Sequence, residues 1–75
     1  MLLFMEETFK KRFGQNVYRL RHKLQATQEK LSEGADLSRR YLLSLEAGQK
    51  SPSLESICKL RKALGCSWEE LMTGL

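Results

Sequence analysis

The spacing of hydrophobic residues predicts helices along the whole chain. No stretch alternates apolar and polar residues in the way that a half-buried strand would. The first third carries one apolar stripe at helical spacing, which marks a long first helix. Gly14 interrupts that helix at a cost of about 1 kcal/mol relative to alanine, so we expect another element to approach closely there. The stripe consists of Phe9, Phe13, Val17, Leu20 and Leu24.

Four shorter helices are predicted from their ends. Helix two should span residues 28–35, helix three 39–47 and helix four 54–64, and a fifth follows Ser67, whose spacing to Glu70 is that of a capping box. Gly48 and Gly65 are suited to the residue after a helix end, and Asp36 can adopt the left-handed backbone at the exit of helix two. The N-caps are Thr27, Ser38, Ser53 and Ser67.

These helices form one compact all-α domain over residues 9–75, with residues 1–8 as an N-terminal extension. The apolar run at residues 1–5 is short, is followed by Glu6 and Glu7, and lacks the basic segment and cleavage motif of a signal peptide. Three alternatives remain open for this run: it packs on the domain, it extends the first helix, or it forms a frayed end. No part of the sequence resembles a membrane span.

Length and charge narrow the function classes. A chain of 75 residues builds one core and leaves little over for an enzyme cleft. Residues 1–50 contain 10 basic and 6 acidic residues, whereas residues 51–75 contain 3 of each, so the whole excess of +4 lies in the first two thirds. Such a basic region indicates a polyanionic partner, and simple solubility explains the charge equally well.

Reactive residue types are scarce. Cys58, Cys66 and His22 cannot supply four zinc ligands. A helix would separate the two cysteines by about 12 Å along its axis, beyond the roughly 7 Å that a disulfide allows, so we expect reduced thiols and a cytoplasmic protein. The sequence holds no nucleophile–base pair, glycine-rich phosphate loop or metal set, and we expect neither an enzyme nor a cofactor.

The third helix separates an apolar face from a polar one. The N-cap Ser38, Leu42 and Leu45 point to one side of the helix. Arg40 and Ser44 point to the opposite side, with Leu43 on one flank and Tyr41 on the other. Arg39 lies in the first turn. Arginine can donate two hydrogen bonds to guanine in the major groove, and hydroxyls can bind phosphates. Two short helices joined by a tight turn, the second basic and exposed, are typical of a helix-turn-helix.

Residues 27–54, TQEKLSEGADLSRRYLLSLEAGQKSPSL, resemble the lambda-repressor-like helix-turn-helix family of the Xre/Cro type. The continuation ICKLRKALGCSWEEL is similar to the family's fourth and fifth helices, and VYRLR is similar to its first helix, so the resemblance covers roughly residues 13–72. It implies a five-helix DNA-binding domain.

The resemblance also implies roles for individual residues. Gln28 would contact a phosphate and brace the recognition helix, residues 39–47, while Arg21 and Glu46 would form a structural ion pair. Leu43 would touch a thymine methyl or pack on a neighbouring side chain. Base-reading positions are Ser38, Arg39, Arg40 and Ser44, and the other phosphate-contacting positions are Tyr41, Gln49 and Lys50. Matching core positions are Leu31, Leu37, Leu42, Leu45, Leu54, Ile57, Leu60, Leu64 and Leu71.

Three residues depart from the family pattern. Ser32 stands for a small alanine at the helix crossing and is small enough to fit. Asp36 stands for the turn glycine, which costs some turn stability. Arg61 stands where alanine is common, so we expect that face of helix four to be exposed.

The function implied is sequence-specific binding of double-stranded DNA by a transcriptional regulator. We expect a homodimer that reads an inverted repeat, acts on the nucleoid of a prokaryotic cell or a phage-infected host, and resembles the controller proteins of restriction–modification systems. Trp68 and Met72 are candidates for dimer contacts or for core packing, and RNA polymerase is a candidate partner. The alternative is a protein-interaction module of the same fold, such as an antitoxin or an adapter.

Overall fold

The computed structural model describes the backbone of residues 2–75 and the side chains of residues 8–75. Five α-helices and no strand occur in this range: α1 Leu2–Lys23, α2 Gln28–Gly34, α3 Arg39–Glu46, α4 Leu54–Leu64 and α5 Trp68–Leu71. The all-α prediction is confirmed. The backbone of residues 2–8 continues α1, whereas Met1 and the side-chain packing of residues 1–5 lie outside the described part.

Hydroxyl caps start every helix after the first. Thr27 Oγ1 accepts a hydrogen bond from the Lys30 amide at 3.0 Å, and Ser38 Oγ accepts one from the Tyr41 amide at 3.1 Å. Ser53 and Ser67 cap α4 and α5, the latter as a reciprocal box with Glu70. Helices α2 and α3 each end one residue earlier than predicted, because Ala35 and Ala47 are their C-caps.

The core lies between α1 and α3 and is closed by α4 and α5. Its largest side chains with no exposed surface are Phe13, Val17, Leu42, Leu45, Leu60 and Leu71. The close approach expected at Gly14 is present, since a Cβ added there would overlap the carbonyl oxygens of Leu45 and Glu46. A glycine on α1 therefore allows the end of α3 to rest directly on it.

Two leucines, one predicted at a core position and one at the end of the apolar stripe of α1, are exposed. Leu54 is 76% exposed because it opens α4, and the buried face of that helix begins at Ser56 and Ile57. Leu24 is 54% exposed because it follows the last residue of α1, and the chain turns away at Gln25, whose φ is 57°. The core assignment of Leu54 and the extension of the α1 stripe to Leu24 were therefore wrong.

The three residues that depart from the family pattern each occupy a defined place in the structure. Ser32 is buried and its hydroxyl donates to the Glu29 carbonyl at 2.9 Å. Asp36 adopts the left-handed conformation, with φ of 55°. The expectation of an exposed face at Arg61 was wrong: this residue is half-buried, its guanidinium lies 4.8 Å from the centre of the Trp68 ring, and Nη1 donates to the Cys66 carbonyl at 3.4 Å.

Both cysteines are free thiols. Within the described residues no helix combines the length and the apolar character needed to cross a bilayer. The same residues contain no group of three or more histidine, cysteine or acidic side chains that could hold a metal ion.

Candidate nucleic-acid interface

The recognition helix α3 presents an apolar face inward and a polar face outward. Leu42 and Leu45 have no exposed surface, which fixes the rotation of the helix about its axis. Arg39 and Arg40 are consequently exposed, and no salt bridge within the described residues engages either of them. Leu43 is 43% exposed on the flank. Two unpaired guanidinium groups therefore project from the first turn of a short, well-anchored helix.

An open concavity of about 510 Å³ lies beside α3. Its wall brings together some of the residues predicted to read bases and some of those predicted to contact phosphates. Arg39, Leu43, Gln28 and Gln49 lie outside it. The lining residues are Ser38, Arg40, Tyr41, Ser44 and Lys50.

The Tyr41 hydroxyl connects α3 to the start of α4. It accepts hydrogen bonds from the Ser53 amide at 3.4 Å and from the Ser56 hydroxyl at 3.1 Å. A tyrosine hydroxyl can both accept hydrogen bonds and donate its one proton. Because the Tyr41 oxygen is the acceptor in both of these bonds, its proton is left for another acceptor, such as a phosphate oxygen.

Glu46 organises the other end of the recognition helix. Its carboxylate accepts from Arg21 Nε at 2.7 Å, from Arg21 Nη2 at 2.9 Å and from Gln28 Nε2 at 3.1 Å. The structure thus contains the Arg21–Glu46 ion pair and the bracing contact of Gln28. The hydrogen bond to this carboxylate raises the pKa of Arg21, which remains charged. One carboxylate therefore fixes α1, α2 and α3 relative to one another.

Two residues of this site were missed at the sequence level. Ser53 was expected only as a helix cap and Ser56 was given no role, yet both anchor Tyr41. Ser53 Oγ also donates to Ser56 Oγ at 2.8 Å. The only signal in the sequence was the Ser-x-x-Ser spacing, which a cap alone accounts for.

The surface around α5 contains the residues considered for dimer contacts. Trp68 is 46% exposed, whereas Met72 is half-buried and packs against the core. The segment after α5 is tied to α1, because Asn16 Nδ2 donates to the Leu71 carbonyl at 2.8 Å and to the Thr73 carbonyl at 2.9 Å. The end of the helix that carries Trp68 is therefore attached to α1.

The geometry agrees with comparisons to known proteins. A helix-turn-helix family model matches residues 17–71. The chain is 39% identical over 64 residues, 85% of its length and 83% of the relative's, to the HTH-type transcriptional regulator y4dJ of Sinorhizobium fredii. It is 41% identical over 61 residues, 80% of its length and 75% of the relative's, to the control protein C.BamHI of Bacillus amyloliquefaciens.

Two solved structures share the fold. The restriction-modification controller protein C.AhdI from Aeromonas hydrophila superposes with a TM-score of 0.76 at 39% identity, over 79% of this chain and 89% of that one. The hypothetical transcription factor NHTF from Neisseria superposes with a TM-score of 0.81 at 25% identity, over 89% of this chain and 77% of that one.

Proposed function

This chain belongs to the helix-turn-helix family of transcriptional regulators, and we propose that it binds an operator in double-stranded DNA as a homodimer, in the manner of a restriction–modification controller. Its function is DNA-binding transcription regulation and not catalysis, as its family membership implies. The observation that carries the proposal is the outward face of α3, where Arg40 and three hydroxyl side chains line one concavity and Arg39 is exposed in the same turn of the helix.

Sequence would be read by Arg39, Arg40, Ser38 and Ser44. An exposed arginine in the first turns of a groove-bound helix can donate two hydrogen bonds to the O6 and N7 atoms of guanine. Ser38 Oγ already accepts the capping bond of α3, and its proton remains available to an acceptor. Leu43, exposed on the flank of the same helix, is suited to contact with a thymine methyl group.

Phosphate contacts would hold the recognition helix in the groove. Lys50 and Gln49 lie exposed in the loop after α3, and Tyr41 has its hydroxyl proton available. Gln28 uses one of its two amide protons for Glu46, so the other can reach a phosphate at the start of α2. Such contacts set the register on the duplex and do not distinguish bases.

Dimerisation would place two recognition helices about 34 Å apart, the spacing that an inverted repeat requires. Trp68 is our candidate anchor because it is a large, half-exposed aromatic side chain, and Met72 lies beside the core in the same segment. The dimer would act on nucleoid DNA in the cytoplasm, and RNA polymerase would be its further partner at a promoter.

The proposal is tested by measuring duplex affinity against salt concentration for two variants. Arg40→Ala should lose about 1–3 kcal/mol on the cognate site and relax its preference for that site. Lys50→Ala should weaken all duplexes similarly and reduce the salt slope by about one. Lys62→Ala, an exposed change on α4, is the matched control and should leave both quantities unchanged. Unchanged cognate affinity in Arg40→Ala would refute the base-reading assignment.

A further inference from the structure

The loop that follows the recognition helix is attached to that helix at both of its ends. At the start of the loop, the Gln49 amide donates to the Ser44 carbonyl at 3.0 Å and the Gly48 amide donates to the Leu45 carbonyl at 3.1 Å. Gly48 permits this turn because its φ is 73°, a conformation that favours glycine. At the end of the loop, the Ser53 amide donates to Tyr41 Oη at 3.4 Å.

Tyr41 contacts this loop in a second way. The Lys50 ammonium lies 5.8 Å from the centre of the Tyr41 ring, within the range of a cation–π interaction. The Tyr41 hydroxyl therefore attaches the end of the loop through its bonds with Ser53 and Ser56, whereas the ring, which packs against the core, supports the lysine. Ser56 is buried, so the point of attachment lies on the packed face of α4.

Lysine loses more side-chain freedom than most residues when it is immobilised. A lysine that already rests on an aromatic ring in the free protein has lost part of that freedom before DNA binds. The contact would therefore cost less on binding, which is the general advantage of preorganisation.

We propose that Tyr41 is a positioning residue that holds the 49–53 loop, and Lys50 above all, in a fixed relation to the base-reading side chains of α3. This inference rests on the proposed function and goes beyond it, because it assigns the Tyr41 ring an action through Lys50 and the Tyr41 hydroxyl the attachment of the loop's end at Ser53. A Tyr41 that only donated its own proton to a phosphate would act independently of Lys50.

A double-variant cycle on the cognate duplex separates these two actions. Lys50→Met keeps most of the apolar stem and should weaken binding about fivefold in the wild-type background. In the Tyr41→Leu background the same change should cost less than about twofold, because the lysine has already lost its support. Equal losses in the two backgrounds would overturn the proposal.

Two further variants guard against a folding artefact. Tyr41→Phe keeps the ring and its packing, so Lys50→Met should retain its full effect there, while the Ser53 amide should exchange with solvent faster than in wild type. Tyr18→Phe, at the other tyrosine of the chain, should change neither the effect of Lys50→Met on duplex affinity nor the exchange rate of the Ser53 amide. A Ser53 amide that exchanges at the wild-type rate in Tyr41→Phe would contradict the hydroxyl anchor.

A signature in the free protein makes the test independent of DNA. A lysine that rests over an aromatic ring has its ε-methylene proton resonances shifted by the ring current. For Lys50 this shift should persist in Tyr41→Phe and vanish in Tyr41→Leu, and its absence from the wild-type protein would refute the positioning role. Failure of the wild-type protein to bind any duplex would instead refute the proposed function while the shift remained.

Discussion

Replacing Glu46 by leucine should strongly destabilise the domain, because three elements depend on that one carboxylate. The side chains of Arg21 and Glu46 are only 10% and 5% exposed, and their closest atoms are 2.7 Å apart. Without Glu46, the Arg21 guanidinium keeps the hydrogen bond from Nη1 to the Ala26 carbonyl at 3.0 Å and the 3.4 Å contact between Nη2 and His22 Nε2, but it remains buried with no opposite charge.

Leaving one charge of a buried pair unpaired costs about 3–5 kcal/mol. A domain of 75 residues has a total stability of about 4–11 kcal/mol at 0.05–0.15 kcal/mol per residue. The single change thus removes a large share of the free energy of unfolding. It should lower the midpoint of thermal unfolding by about 12 °C or more.

The second half of the prediction concerns the double variant Arg21→Met/Glu46→Leu. Replacing both charges by apolar side chains leaves no buried charge, and such replacements are often close to neutral. The double variant should therefore be more stable than Glu46→Leu alone, with a coupling free energy of about 2 kcal/mol or more.

Urea unfolding followed by far-ultraviolet circular dichroism measures both effects as shifts of the midpoint at constant slope. The exposed pair of Asp36 and Lys59 supplies the control, since its atoms are 3.7 Å apart and its side chains are 97% and 32% exposed. Lys59→Met should cost less than about 1 kcal/mol. A loss in Glu46→Leu no larger than in Lys59→Met would show that the network does not support the fold in this way.

Three further predictions concern other parts of the chain. Gly14→Ala should destabilise the domain by about 1–3 kcal/mol in the same urea titration, because its Cβ would overlap the backbone carbonyls at the end of α3. Gly34→Ala should stabilise the domain by about 0.5–1 kcal/mol, because its Cβ would lie at an ordinary 3.9 Å from the Ala63 Cβ and alanine favours a helix. The capping hydrogen bond from the Ser67 amide lowers the pKa of Glu70. The ionised carboxylate therefore stabilises the fold above the ordinary pKa of a glutamate, and this stabilisation is lost as pH falls through the lowered pKa of the folded state. Glu70→Gln should show a shallower loss of the free energy of unfolding on acidification. Burial raises the pKa of the Cys66 thiol, so that thiol should react with a disulfide reagent more slowly than Cys58, and equal rates would argue against its burial.

Local signals in the sequence were sufficient to predict the order of the helices. Thr27, Ser38, Ser53 and Ser67 each cap a helix as expected, because a cap depends on the residue itself and on the next three amides. Such local signals do not predict burial, as Leu54 shows. Its burial depends on how far α4 extends past the core, and hydrophobicity and spacing do not contain that information.

Part of the candidate site could also be predicted from local signals, and part of it depends on how the helices pack. The outward face of α3 follows from its period and from the burial of Leu42 and Leu45. The attachment of Tyr41 to Ser53 and Ser56 could not be predicted, because it depends on the angle between α3 and α4. Arg61 is a comparable case, since its stacking on Trp68 requires the turn between α4 and α5 to bring the two side chains together.

The central claim is that the exposed face of α3 reads DNA sequence, and selection of bound sites from random duplexes tests it most directly. The wild-type protein should enrich an inverted repeat whose half-sites lie about 34 Å apart, one helical turn of DNA. The Arg39→Ala/Arg40→Ala variant, with its fold checked by circular dichroism, should lose that enrichment. A wild-type protein that enriches no sequence at low salt would contradict the account and favour a protein-interaction module of the same fold.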